Sequence, residues 1–246
     1  MPFGLRGVGF VPTQMNGCVL WLSADRGVQL SGSNVVTWAD SSGAGNHFTS
    51  TGAVTTRPSL IATDPLLNGQ PSITFVSSSA QILTNTSLNV PQPNTAYVVS
   101  YISTFNPNIN LTLFDSPGTR QTLYAVIGSG PTTGIGAFAG SVKNSTNNVL
   151  TVGQPFCAAG VFNGSNSNVY LGTSQPGTSQ AAVVGLSAFA AGANSLVQAE
   201  LFGFAGINFT SGSIAEVIIY QGAHTPQQVS WVFQYLSSKY NPGAWS

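Results

Sequence analysis

Apolar and polar positions alternate in short runs along this chain, and turn-forming residues close nearly every run. Residues 18–22, 72–76, 96–103, 121–127, 156–162, 168–171, 197–204 and 214–220 carry the pattern most clearly. Each run is rich in Val, Ile, Phe or Tyr and bounded by Gly, Pro, Asn or Ser, the composition that suits a pleated, half-buried strand. No fixed-period repeat and no linker-like break divides the chain. The pattern therefore predicts one all-β domain, two antiparallel sheets packed as a β-sandwich. A helical period occurs once, over 226–240. Thr225 is a natural N-cap, Pro226 suits the first helical position, and Val229, Val232, Phe233, Leu236 and Tyr240 share one face. Trp231 and Tyr235 lie four apart on the other side and are neighbours there. Either another part of the chain or a partner has to cover that pair.

Residues 1–15 break the alternation. Phe3, Leu5, Val8, Phe10 and Val11 are threaded through Gly and Pro, an N-terminal arm ahead of a domain spanning 16–246. The arm docks either on its own domain or on a neighbouring subunit. Phe3, Leu5, Phe10, Trp231 and Tyr235 are the candidate partner-docking residues.

Composition removes several functions. Six Lys/Arg and six Asp/Glu are the whole formal charge of 246 residues, 5%, where a typical chain has about 25%. A nucleic-acid binder needs a basic patch to release phosphate counterions; here Arg6, Arg26, Arg57, Arg120, Lys143 and Lys239 are scattered, so no nucleic-acid partner is expected. No apolar run is long enough for membrane insertion, and the first ten residues lack the basic and apolar regions of a secretory signal. Cys18 and Cys157 sit in apolar runs and are expected to be buried free thiols rather than a disulfide.

The segments Leu20-Trp-Leu-Ser-Ala-Asp25, Val36-Thr-Trp-Ala-Asp-Ser-Ser-Gly43 with Gly45-Asn46, Arg57-Pro58, Asn68-Gly-Gln-Pro71 and Ile73-Thr-Phe75, together with Gly212-Ser-Ile-Ala-Glu-Val-Ile-Ile-Tyr220 and Tyr235-Leu-Ser-Ser-Lys-Tyr240, form an ordered set. The set resembles the concanavalin A-like lectin/glucanase superfamily, and within it the laminin G-like jelly-roll domains of bacterial surface and phage proteins. The resemblance brackets residues 18–240 and implies a two-sheet jelly-roll sandwich with the helix closing the chain. It also implies that calcium could sit at a rim on one or two carboxylates, with Asp40 or Asp115 as the candidates. A structural turn accounts for each of them, so no cofactor is expected. Asp40 would accept backbone N–H groups in a turn that Gly43 and Gly45 make possible. Trp21 and Trp38 read as core, and Glu216 as solvent-facing or holding structural hydrogen bonds.

Laminarinase-type members carry Glu-x-Asp-x-x-Glu on one strand, because retaining glycoside hydrolysis needs two neighbouring carboxylates. This chain has only Glu200 and Glu216, on separate strands, with no acidic neighbour at that spacing, so no catalytic activity is expected. There is no G-x-S-x-G elbow, and the glycines of 128–140 read as hairpin turns rather than a phosphate loop. Sugar binding needs aromatic faces and polar groups but little charge. Tyr101, Asp115, Arg120 and Tyr124 frame the most polar-aromatic stretch and are the candidate carbohydrate-binding residues. Asp115 and Arg120, five apart across Ser-Pro-Gly-Thr, also fit a salt-bridged hairpin turn. The expected function is a lectin-like module of a phage particle, in the head or tail on the virion surface, attaching to host glycans. Its other partners would be virion subunits or further copies of itself. A secreted or cell-surface bacterial carbohydrate-binding module and a purely structural virion protein are the alternatives.

Overall fold

Seventeen strands and one α-helix are formed by the described residues of the computed structural model, which are 9–50, 52–104, 111–127, 133–144, 150–173, 184–189, 192–204 and 208–240. The strands of the first part are β1 (Cys18–Ser23), β2 (Val28–Ser31), β3 (Asn34–Trp38), β4 (Phe48–Thr49), β5 (Ser59–Ile61), β6 (Ser72–Phe75), β7 (Leu83–Val90), β8 (Asn94–Ile102) and β9 (Leu111–Asp115). There follow β10 (Thr122–Ile127), β11 (Thr133–Phe138), β12 (Val142–Asn144), β13 (Phe156–Phe162), β14 (Ser167–Thr173), β15 (Val184–Phe189), β16 (Leu196–Leu201), β17 (Gly212–Gln221) and the helix α1 (Pro226–Tyr240). Each of the eight runs read from the alternation overlaps one of these strands.

All pairings are antiparallel. One layer runs β1–β17–β8–β13–β14–β15, the other β4–β7–β16–β9–β10–β11–β12. β6, β5 and β3 carry the pairing from one layer to the other. The inner faces share a core that includes Leu22, Val98, Phe156 and Ile219 from the first layer and Leu113, Leu123, Ile135 and Leu201 from the second. This is an all-β, two-layer antiparallel sandwich with one C-terminal helix.

A second apolar cluster lies on the outer face of the first layer. Tyr97, Val99 and Tyr101 of β8 and Ile218 and Tyr220 of β17 meet Val229, Val232, Phe233, Leu236 and Tyr240 of α1. Burial on both sides leaves all nine residues of β8 buried. Thr225 caps the helix reciprocally: Gln228 N–H donates to Thr225 Oγ1, and Thr225 N–H donates to Gln228 Oε1. No helix among the described residues is long and apolar enough to cross a membrane.

The described glycines expected in hairpin turns divide between a strand and a turn. The glycine-rich segment read as a hairpin turn contains β11, which pairs with β10 over its whole length. Ile135 and Ala137 alternate into the core, and Gly136 lies opposite Tyr124. Glycine here marks a strand that leaves room for its neighbour's ring; among the described glycines of this segment Gly140, at φ 104°, is the turn glycine, and Gly128 and Gly130 lie outside the described residues. Gly160 of β13 does similar work in the core, because a Cβ there would meet the Phe162 ring at 2.7 Å. Gly160→Ala is expected to lower stability by about 1–3 kcal/mol through overpacking, read as a shifted urea midpoint at constant m. An unchanged midpoint would show that the ring has room to move.

Residues 1–8, with Phe3 and Leu5, lie outside the described residues. The rest of the arm packs on its own domain. Phe10, Val11 and Met15 lie against the helix-covered cluster, and Tyr220 hydroxyl donates to Pro12 carbonyl at 3.0 Å. Phe10 meets Tyr235 edge-on with centroids 5.6 Å apart, while Trp231 stays half-buried. Both cysteines are free thiols, Cys157 buried and Cys18 half-buried.

Candidate carbohydrate-binding face and the buried Glu216 hub

Strand alternation builds a polar patch on the outer face of the second layer. Leu201 of β16 and Phe114 of β9 are register partners, and both enter the core. The next pair in the ladder, Glu200 and Asp115, must therefore point to the opposite face. On β10, Leu123 and Ala125 point inward, so Thr122 and Tyr124 point outward beside Asp115. β11 adds Phe138, the register partner of Thr122.

Asp115 has no exposed surface. Thr122 hydroxyl donates to its Oδ1, whereas Oδ2 is buried without a hydrogen-bond partner. Burial raises the Asp115 pKa, against the lowering influence of Thr122 and of the nearby Arg120 charge. Arg120 is exposed, and its backbone is left-handed at φ 57°. The turn is not closed by an Asp115–Arg120 salt bridge. Among the described residues the ion pairs are Arg26–Asp25, Lys239–Asp25 and Lys239–Glu216. The Arg120 guanidinium instead lies 4.0 Å from the Phe204 ring centroid and 5.1 Å from that of Phe138. Asn194 Nδ2 donates to the Arg120 carbonyl at 3.1 Å. Tyr124, 5% exposed, has its phenol pKa raised by burial and lowered by Arg120.

Asp115, Arg120 and Tyr124 thus converge on one face. Tyr101 does not join them. It belongs to the helix-covered cluster on the other layer, and Ser213 hydroxyl donates to its hydroxyl at 3.0 Å. The residues missed from the sequence are Glu200, Thr122, Phe138 and Phe204. The alternation of 121–127 held the signal for Thr122. Glu200 stands 85 positions from Asp115, and only the pairing of β9 with β16 unites them.

The most highly coordinated carboxylate is elsewhere. Glu216, 1% exposed, accepts from Trp21 Nε1 and Tyr235 hydroxyl on Oε1, each at 2.8 Å. Its Oε2 accepts from Tyr240 hydroxyl at 2.6 Å, Lys239 Nζ at 2.9 Å and Ser23 hydroxyl at 3.2 Å. A bulge between Ile214 and Glu216 places Ala215 and Glu216 on the helix side in succession. Burial, and then the Glu216 charge, raise the pKa of both tyrosines, which remain donors. Asp25 beside this cluster is pushed up by burial, but donation from Arg26 and Ser23 and the Lys239 charge outweigh it and hold it at about 2. Among the described residues, no group of three or more side chains could hold a metal ion. Asp40 is engaged by the turn: Trp21 and Ser42 N–H donate to Oδ1, and Asn46 N–H and Ser42 hydroxyl donate to Oδ2.

No family model and no curated protein matches the sequence. Solved structures do resemble it. A GH54 α-l-arabinofuranosidase soaked with a cyclic sulfate inhibitor aligns at TM-score 0.63 and 13% identity, over 84% of this chain and 51% of that one. The chain thus spans about half the length of that enzyme. Domain 4 of AbnA, a GH43 extracellular arabinanase from Geobacillus stearothermophilus, in complex with arabinotriose, aligns at TM-score 0.54 and 16% identity over 87% of this chain and 97% of the domain. The binding domain of Paraclostridial Mosquitocidal Protein 1 aligns at TM-score 0.57 and 12% identity over 89% of this chain and 52% of that one. At these identities the likeness shows a shared fold.

The expectation of a chain without catalytic activity is corrected here. Similar structures include GH54 arabinofuranosidases, so the sandwich is not confined to binding modules. No described strand carries two carboxylates. An antiparallel ladder also sets residues side by side across two strands, and Glu200 faces Asp115 in that way.

Proposed function

We propose that the chain is a glycan-binding β-sandwich module and that the outer face of its second layer holds the sugar. The observation that carries this reading is the convergence of an exposed guanidinium, the half-buried rings of Phe138 and Phe204, and the half-buried Glu200 carboxylate on one face. A sugar ring offers a C–H face to aromatic carbon and hydroxyls to charged donors and acceptors, and this face supplies all three. The arabinotriose bound to the AbnA domain names a first ligand class to try. A charge-poor surface suited to packed assemblies, together with the laminin G-like resemblance, supports placing the module on a phage virion surface, where it would bind host glycans.

Isothermal titration with arabinotriose, backed by a glycan array, tests the reading. Arg120→Ala is expected to weaken binding about tenfold, or about 1.4 kcal/mol. Tyr101→Phe, on the other layer, should leave it unchanged. A wild-type chain that bound no glycan on the array would end this reading.

A further inference from the structure

We propose that the sugar held on this face is an acidic one, a hexuronate whose carboxylate docks on the Arg120 guanidinium. The inference rests on the glycan-binding reading above and names its ligand class. Three features carry it. The first is an open fork. Arg120 is exposed, and among the described residues its guanidinium forms no ion pair and donates no hydrogen bond. Asp115 feels its charge, yet the Asp115 carboxylate has no exposed surface and leaves the fork to a ligand. A guanidinium presents its N–H groups in a plane that matches both oxygens of a carboxylate at once.

The second feature is preorganisation. The guanidinium already lies over the Phe204 and Phe138 rings, so less side-chain freedom is lost when a ligand arrives. The turn beneath it is tied down as well. Arg120 N–H donates to Ser116 carbonyl at 2.7 Å. Ser116 hydroxyl donates to Val197 carbonyl and accepts from Val197 N–H, each at 2.7 Å, and Thr119 hydroxyl donates to Ser195 carbonyl. The third feature is the backbone. Arg120 is left-handed at φ 57°, where glycine fits without strain and arginine does not. The chain holds that strain at the residue whose side chain reaches both rings.

The class of ligand follows from this geometry. In a hexuronate the carboxylate is bonded directly to a ring carbon, so seating it on the fork brings the sugar's C–H groups alongside the half-buried rings of Phe204 and Phe138. A neutral sugar meets the same rings but leaves the charge of the fork to water. Charge-assisted hydrogen bonds are roughly twice as strong as neutral ones, and they set the preference.

The test titrates the full chain with a panel of acidic oligosaccharides, trigalacturonate among them, each beside its methyl ester, and with arabinotriose and a sulfated trisaccharide. The ester keeps the ring and every hydroxyl and removes only the charge. The wild type is expected to bind its tightest acid at least about tenfold better than the matching ester. Arg120→Gln keeps the stem and the backbone strain, and should bring that ratio to about one. Arg120→Lys keeps the charge without the planar fork, and should lower the ratio at least about threefold. Urea midpoints establish that both variants fold. A wild type that binds the esters or arabinotriose as tightly as any acid overturns the inference and leaves the binding reading intact. A sulfated trisaccharide bound as tightly as the acids overturns the carboxylate assignment, and an acid preference that survives Arg120→Gln overturns the role of Arg120. No binding to any member, neutral or acidic, ends the binding reading and this inference with it.

Discussion

Replacing Glu216 with alanine is expected to cost about 3–5 kcal/mol of folding stability, the range for breaking a buried ion pair by removing one partner. The reason lies in how many groups depend on it. Trp21 and Ser23 come from β1, Tyr235, Lys239 and Tyr240 from α1, and all five donate to this one side chain. The truncation leaves those donors buried or half-buried without their acceptor, and each unmet group carries a desolvation cost. Glu216→Gln keeps the shape and removes the charge, so its loss should be smaller. Urea denaturation measures both. A loss under about 1 kcal/mol for Glu216→Ala would mean that water replaces the carboxylate and that the hub does not pin the helix to the sheet.

Acid is expected to weaken the fold between about pH 6.5 and 4, by about 3 kcal/mol, through His224. The ring is 7% exposed and packs on Tyr220 and Tyr97 with centroids 4.4 and 5.7 Å away. Its Nδ1 shares a 2.7 Å hydrogen bond with Tyr97 hydroxyl. Burial lowers its pKa from 6.5 to about 4. The unfolded chain takes up a proton near pH 6.5 and the folded chain only near 4, so the unfolded state binds more protons across that window. Stability therefore falls as pH falls. Asp25 works in the same direction lower down: held at about 2 against an ordinary 3.8, it loses its stabilising contribution only below about pH 4. Stability against pH for wild type and His224→Gln separates the two groups. The variant should lose the slope between pH 6.5 and 4, and an unchanged slope would assign it to another group.

Much of the architecture is legible in local chemistry. Val, Ile, Phe and Tyr at alternate positions between Gly, Pro, Asn and Ser mark eight strands, and Thr225-Pro226 with its following apolar period marks α1. The strands missed along the sequence lack that signal for physical reasons. β4 has two residues, β2 exposes three of its four, and β11 has glycine at two outward positions, one of them opposite Tyr124. The candidate site is legible in part. Asp115, Arg120 and Tyr124 lie within ten residues, so a single hairpin was bound to bring them together. Tyr101 belongs to the neighbouring run, but the chain crosses to the other layer between β8 and β9, and no local pattern records that crossing.

Glu200 and Glu216 divide what each level determines. By sequence, both are rare carboxylates in strand-forming runs, and the scarcity of charge in 246 residues already makes each position count. The sequence by itself determines the strand alternation, the capped helix and the short roster of titratable groups, because these depend on neighbours one to four residues apart. Only the tertiary structure decides what the two glutamates meet. A one-residue bulge turns Glu216 toward five donors beneath the helix, and one register of the β9–β16 ladder sets Glu200 against Asp115. Register and bulge position depend on packing of the whole core, since a slip by one residue would exchange every inward side chain for an outward one.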